Sequence, residues 1–331
     1  MMYRYNYNLN LRYFDNTNLT TSEGLSAEMR TFYSDLVIDM AQPQLVHDQF
    51  GQKVPIPQNN GKTVSFRKYE PLPKALTPLT EGVTPHGNSL SVSTVESAVK
   101  QYGDYVELSD LLLLTAVDNQ LVEATTLLGN QAGLTLDTIT REVLCGGTNV
   151  IYAGGGSSRS AITTSAKMTS LLVKQAAREL KKMNAPKIDG SYVSVIHPDV
   201  TFDLTSDPEW IAANQYAGSV NIFEGEIGKL HGVRFVETTE AKIFADAGNG
   251  GIAVYATLFI GANAYGVTEI TGGGLKTIIK QLGSGGTSDP LDQRATAGWK
   301  ATKTAERLVE AYMVRVESAS TFSEAGKYVE N

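Results

Sequence analysis

Gly61-Lys62-Thr63 comes nearest in this sequence to a nucleotide-binding motif. A phosphate-cradling loop needs another glycine five residues earlier, because backbone amides must wrap the phosphates. Position 56 is Ile and Pro57 follows it, so that chemistry fails. No serine has glycine at both −2 and +2, which removes a hydrolase elbow. No Gly-x-Gly-x-x-Gly opens a helix, so the glycine runs are expected to make turns. The four histidines (His47, His86, His197, His231) are too scattered for the spacing of a zinc helix. His197, before Pro198, is expected to be a hydrogen-bonded structural group. Asp207, Glu209, Glu224 and Glu226 cluster in sequence, and the expectation for them is helix capping and turn chemistry. Cys145 is the one cysteine, which excludes a disulfide framework and a multi-cysteine metal site. No catalytic residue, cofactor or metal is expected.

The chain has 331 residues, 28 Lys+Arg and 35 Asp+Glu, for a net charge of −7. With 42% hydrophobic and 19% charged residues, the balance is that of a globular protein with a sizeable core. The acidic excess argues against holding nucleic acid by bulk charge. The start, Met1-Met2-Tyr3-Arg4-Tyr5, lacks the apolar core of a signal peptide. Ile252 to Val267 is interrupted by Asn263 and too short to span a bilayer. A soluble protein made in a reducing cytoplasm is the expectation, with no membrane partner.

Residues 1–50 form a polar tail carrying five of the 15 tyrosines in its first 33 positions. A short amphipathic helix is predicted over Ser26–Ala41, with Phe32, Leu36 and Met40 at spacing four, stopped by Pro43. Seven of the 11 prolines lie between positions 43 and 85. Strand-like runs flank them. In Thr63–Tyr69, Val64 and Phe66 share one face and Ser65 and Arg67 the other; Leu90–Ser93 alternates likewise. The result is a long two-stranded excursion with a proline-rich end. An isolated hairpin is marginal in water, so it either folds back on its own domain or lies across another subunit.

Val117, Leu121, Ala124, Leu128, Ala132, Leu136, Ile139 and Val143 make one apolar stripe, which predicts a long helix over 117–144 ended by Gly146-Gly147. Gly129 and Gly133 inside it would permit close approach of another backbone. A second helix fits Ala166–Met183, with Met168, Leu172, Ala176, Leu180 and Met183 inward. Its other face holds Lys174, Arg178, Lys181 and Lys182, read as a solvated face or a subunit or DNA contact. Beyond Ser191 the pattern is mixed: a buried-type strand over Tyr192–Ile196, a helix around Pro208–Tyr216, and strands at Val233–Glu237, Ala241–Phe244, Ile252–Leu258 and Thr277–Leu282. A last strand over Leu308–Val316 is expected to return beside the long helix.

Several stretches resemble the phage N-four-type major capsid protein family. They begin with Leu45-Val46-His47-Asp48-Gln49-Phe50-Gly51-Gln52-Lys53 and Gly61-Lys62-Thr63-Val64-Ser65-Phe66-Arg67. Pro78-Leu79-Thr80-Glu81-Gly82-Val83-Thr84-Pro85 and Tyr102-Gly103-Asp104-Tyr105-Val106-Glu107-Leu108-Ser109-Asp110 follow. Then come His197-Pro198-Asp199-Val200, Gly225-Glu226-Ile227-Gly228-Lys229-Leu230, Asp289-Pro290-Leu291-Asp292-Gln293-Arg294 and Gly298-Trp299-Lys300. The order from Leu45 to Lys300 carries the likeness; the first 25 residues match least.

The resemblance implies an α+β chain of the Hong Kong 97-type phage capsid fold. Residues 1–50 would be the N-terminal arm and 51–105 the extended loop. The peripheral domain would be 106–189 and 298–331, with its spine helix at 117–144, and the axial domain 190–297. The implied function is a major capsid protein that self-assembles, by arm and loop contacts, into the icosahedral shell around the double-stranded DNA of a tailed phage. Its partners would be neighbouring subunits in hexamers and pentamers, a portal, and decoration or scaffolding proteins. DNA would be enclosed without sequence-specific binding, in a virion assembled in the host bacterial cytoplasm. No covalent cross-link and no separate scaffolding domain are expected. The residues expected at subunit contacts are Phe32, Leu36 and Phe50 of the arm, Phe66, Arg67 and Tyr69 of the loop strand, and Leu79, Glu81 and Pro85 of the tip. The alternatives are an encapsulin-like compartment shell and a cytosolic α/β enzyme using the scattered carboxylates.

Overall fold

The computed structural model describes residues 37, 40–41, 45–56, 62–69, 72–79, 81–84, 87–115, 120–216, 226–269, 275–284 and 289–327. Phe32, Leu36 and Pro85 lie outside the described residues, as does most of the helix expected over Ser26–Ala41.

The strands are β1 (Gln52–Val54), β2 (Thr63–Tyr69), β3 (Val92–Ala98), β4 (Lys100–Ser109), β5 (Val150–Tyr152), β6 (Tyr192–Ile196), β7 (Glu226–Leu230), β8 (Val233–Glu237), β9 (Ile243–Phe244), β10 (Val254–Ile260), β11 (Tyr265–Thr268), β12 (Leu275–Lys280), β13 (Arg294–Lys303), β14 (Ala305–Arg307) and β15 (Met313–Ser318). The helices are α1 (Asp110–Thr115), α2 (Gln120–Cys145), α3 (Ser170–Lys182), α4 (Pro198–Thr205) and α5 (Pro208–Tyr216). Among the described residues, no helix is long and apolar enough to cross a membrane.

A seven-stranded mixed sheet in the order β5-β15-β10-β6-β8-β7, with β9 also on β10, holds the main core. All of β10, Val-Tyr-Ala-Thr-Leu-Phe-Ile, is buried. A strand covered on both faces needs such a continuous run rather than an alternation. Leu172, Val173, Ala176 and Leu180 of α3 pack with Val314, Val316 and Phe259 of the sheet. The strand expected over Leu308–Val316 is corrected here. Glu310–Tyr312 forms a 3-10 turn, and β15 starts at Met313 and joins β10 and β5 rather than lying along the long helix. Val314 and Val316 are needed between α3 and the sheet, whereas Leu308 is used in a separate cluster under the hairpin.

The long helix α2 begins at Gln120 and spans about 39 Å at 1.5 Å per residue. Its buried residues form two adjacent rows at spacing four. One is Ala124, Leu128, Ala132, Leu136, Thr140 and Leu144; the other is Thr125, Gly129, Gly133, Asp137, Arg141 and Cys145. Rows at spacing four incline to the helix axis, so the cover crosses α2 obliquely. That tilt carries burial away from the predicted Ile139 and Val143 and onto Asp137 and Arg141, which need polar partners. A Cβ on Gly129 would lie 2.8 Å from Met40 Cβ and 3.2 Å from the Val37 carbonyl. The close backbone approach suggested for this glycine is thus present, and the approaching backbone is that of Val37.

A second sheet, β12-β13-β4, rests on α2. Leu275, Ala297, Trp299 and Ala301 face Leu128, Ala132 and Leu136, and Trp299 Nε1 donates to Gln131 Oε1 at 3.1 Å. The division expected at 297/298 falls inside β13, and β1, expected within the extended loop, pairs in parallel with β11.

Candidate assembly interface

The residues with chemical potential are held apart. Lys62 and Thr63 lead into strand β2, not into a helix N-terminus that could face a phosphate. His86 and Glu224 lie outside the described residues. Asp207 joins two helix starts: Oδ1 accepts from Glu209 N at 2.9 Å in α5, and Oδ2 accepts from Ser170 N at 3.0 Å in α3. Burial pushes its carboxyl up, but those bonds outweigh it and hold the pKa below the usual value. Cys145 is buried at the end of α2, and burial pushes its thiol up to about 12. Among the described residues, no three His, Cys, Asp or Glu side chains stand together as a metal site.

His197 is the N-cap of α4, its Nδ1 accepting from Asp199 N at 3.1 Å. The ring is therefore neutral with its proton on Nε2. Burial lowers its pKa from 6.5, partly opposed by the Asp199 carboxylate. The folded pKa lies below the unfolded one, so the stability this cap contributes is complete above about pH 6.5 and is lost as pH falls towards the folded value. His197→Asn keeps an acceptor at the cap without a titrating ring. The expected result is a urea midpoint that drops less between pH 7.5 and about pH 5.5 than in the parent; equal drops would refute the assignment.

The hairpin β2–β3 carries the loop. Its strands pair antiparallel from Thr63↔Ala98 to Tyr69↔Val92. Val64 and Phe66 are buried and Arg67 is exposed, the alternation read from the sequence. Phe66 packs within its own chain, with Val64, Val54, Val95, Val99, Leu308 and Val309, and has 0% exposure. It therefore secures the base of the loop and offers no surface to a neighbour. Its ring sits over Gly266 of β11, where an added Cβ would lie 2.3 Å from a ring carbon. Gly266→Val should cost about 1–3 kcal/mol by overpacking and make the loop more protease-sensitive. Unchanged urea stability and cleavage would mean the ring is not keyed into this strand. Ser97 Oγ and Thr304 Oγ1, 2.7 Å apart, add a polar tie.

Beyond the base the chain runs exposed and without regular structure from Leu72 to Ser91 among the described residues. Leu76 is 82% and Leu79 78% exposed, with Leu72, Val83 and Leu90 also in the open. Glu81 is exposed beside them. No other described residue of the chain covers this apolar surface.

A trough of about 760 Å³ lies on the face of β12-β13-β4 turned away from α2. The register aligns Ile278, Gly298 and Tyr105 in one row across it, flanked by Lys276, Lys300 and Gly103 and by Lys280, Thr296 and Glu107. Gly103 and Gly298 leave its floor low, and Tyr105 and Ile278 give it exposed apolar walls. Asp104 is held below its usual pKa by the Gln131 amide, with help from the Tyr105 N–H.

Residues 45–50 are fixed by a buried polar group that sequence reasoning missed. His47 N and Nδ1 both donate to the Asp137 carboxylate, at 2.7 and 2.6 Å. Thr140 Oγ1 donates to Asp48 Oδ1 at 2.6 Å, and the Lys303 ammonium pairs with Asp48 Oδ2. The Tyr265 hydroxyl donates to the His47 carbonyl, and burial raises its pKa well above the usual value, with Asp48 and Asp137 adding to the shift. Phe50, half-buried, packs beside this group, with the Arg234 guanidinium 5.8 Å from its ring.

A family profile described as phage capsid protein matches residues 104–281, more than half of the chain. The chain belongs to the phage capsid protein family. No curated protein matches it. Among solved structures, the capsid protein of Ralstonia phage GP4 aligns with a TM-score of 0.65 and 17% identity, covering 82% of this chain and 86% of that one. The capsid of cyanophage P-SCSP1u aligns with a TM-score of 0.62 and 15% identity over 93% and 94%. The holo-SrpI encapsulin complex from Synechococcus elongatus PCC 7942 aligns with a TM-score of 0.55 and 10% identity over 96% and 97%. At these identities the likeness establishes the fold alone, the Hong Kong 97-type expected from the sequence. The family match separates this capsid protein from the encapsulin that shares its fold. It is a structural component of the virion shell, built by contact with neighbouring subunits.

Proposed function

We propose that this major capsid protein closes an icosahedral shell around the double-stranded DNA of a tailed phage by laying the 72–91 loop of each subunit into the β12-β13-β4 trough of a neighbour. The observation that carries this is the exposed run of Leu72, Leu76, Leu79, Val83 and Leu90 on an anchored base. Large apolar side chains exposed together in one segment mark an interaction site, and their burial is worth about 25 cal/mol per Å². The trough supplies apolar walls for it, and Lys280 and Lys300 supply cations for Glu81. Loop and trough are different patches, so the contact is heterologous and closes rings, the hexamers and pentamers of the shell. Arm residues Phe32 and Leu36 and loop residues Arg67, Tyr69 and Pro85 belong to the same contacts. The arm, loop, peripheral and axial divisions belong to the same proposal, with the 297/298 boundary moved off β13 and β1 counted with β11 rather than with the loop. Assembly takes place in the host cytoplasm around a portal, with decoration or scaffolding proteins as further partners. The role is mechanical, with no reaction.

Negative-stain microscopy of the purified protein and of its virion fraction tests this. Closed polyhedral shells holding DNA are the expected result. Subunits that stay monomeric even with portal and scaffold present would overturn it, and shells filled with one cargo enzyme would favour a storage compartment.

A further inference from the structure

The outward face of α3 concentrates positive charge on a chain whose net charge is −7. Lys174, Arg178 and Lys181 follow one another at four and three residues, about 4.5–6 Å along the axis, and Lys182 adjoins Lys181. With Ala177 and with His231 from the β7–β8 turn, they line a hollow of about 560 Å³. Glu209 pairs with Lys174, and Glu179 pairs with both Arg178 and Lys182, at 3.0 and 3.7 Å. Lys181 has no carboxylate partner among the described residues. Four cations against three carboxylates, Glu179, Glu209 and Asp207, whose charge also acts on Lys174, leave the group at 4 − 3 = +1. Burial lowers the His231 pKa, Glu209 opposes this, and Lys174 and Lys181 push it lower.

We propose that this face of α3 lines the lumen of the shell and rests on the phosphate backbone of the packaged DNA. The proposal depends on the capsid reading above. A positive patch on a subunit that carries −7 overall lessens its repulsion of an enclosed polyanion where the two meet. The donors are mostly lysines on flexible stems, which meet phosphates as point charges and need no fixed geometry. Their spacing along α3 follows a row of charges rather than a single anion. Such a contact reads no sequence, and it weakens as salt rises.

The test is amine acylation of intact DNA-filled particles and of the same particles emptied of DNA, read by peptide mass spectrometry. Lys181 and Lys182 should be acylated several-fold less in full particles, and the protection should fade as salt is raised. Equal and high labelling in both states would place the face outside the shell and overturn the proposal. Equal and low labelling would mean that a neighbouring subunit covers it, with the same consequence. Failure to form any particle would instead remove the capsid reading on which it rests. A second arm uses R178E/K181E, which leaves the buried face of α3 untouched. Particles of normal number that release DNA at lower temperature are expected, and unchanged retention would refute the contact.

Discussion

Deleting residues 71–88 leaves a subunit that folds but builds no closed shell. The base of the loop lies outside the deletion: β2 and β3 keep their register, and Phe66 keeps its seat over Gly266. Residue 70 and residues 89–91 remain to join Tyr69 to Val92, long enough for a hairpin turn. What disappears is Leu72, Leu76, Leu79 and Val83, each worth about 1.5–3 kcal/mol when fully buried. Losing the burial of only two of them, about 3–6 kcal/mol, lowers association by about two to four decades. Sedimentation and electron microscopy of the variant should show subunits or small oligomers, with the urea unfolding curve close to the parent's. Normal shells from this variant would end the assignment of the loop as an intersubunit clamp.

The second large effect is internal. Lys303→Met should destabilise the subunit by about 3–5 kcal/mol, because it strands the Asp48 carboxylate in the interior with Thr140 as its remaining hydrogen-bond donor. The double change Lys303→Met with Asp48→Leu should recover most of that loss, since an apolar pair removes both desolvation costs. Urea unfolding of dissociated subunits, arranged as a double-mutant cycle, measures the coupling. A loss below about 1 kcal/mol for the single variant would put the ammonium in the class of solvent-screened surface pairs.

Elements whose face is decided locally were legible in the sequence. The alternation of Val64 and Phe66 against Ser65 and Arg67 reproduces β2, and the spacing of Ala124, Leu128, Ala132 and Leu136 reproduces the first half of α2. The strands β4 and β13 were missed although they are ten residues each. Ala295, Ala297, Trp299, Ala301 and Lys303 do alternate inward along β13. Small residues and a buried lysine do not register as an apolar face. The signal was the period of two, with little hydrophobic contrast to reveal it. The polar group around His47 and Asp48 was beyond reach for another reason. Asp48 and Lys303 are 255 positions apart, and Asp137 and Arg141 occupy helix positions whose burial follows from the oblique cover over α2. The exposed tip was legible only as proline-rich. Its leucines follow no period because no surface among the described residues orders them.

The deep seat of Cys145 has a practical side. It is the only sulfhydryl of the chain, it is buried, and its thiol is pushed up to about 12, so almost none is thiolate near neutral pH. The native protein is therefore silent towards maleimides. A cysteine introduced at Leu79 or at Lys181 becomes the one reactive handle in each copy of the shell. Fluorophores or spin labels placed there can report distances between neighbouring copies without first removing a native residue.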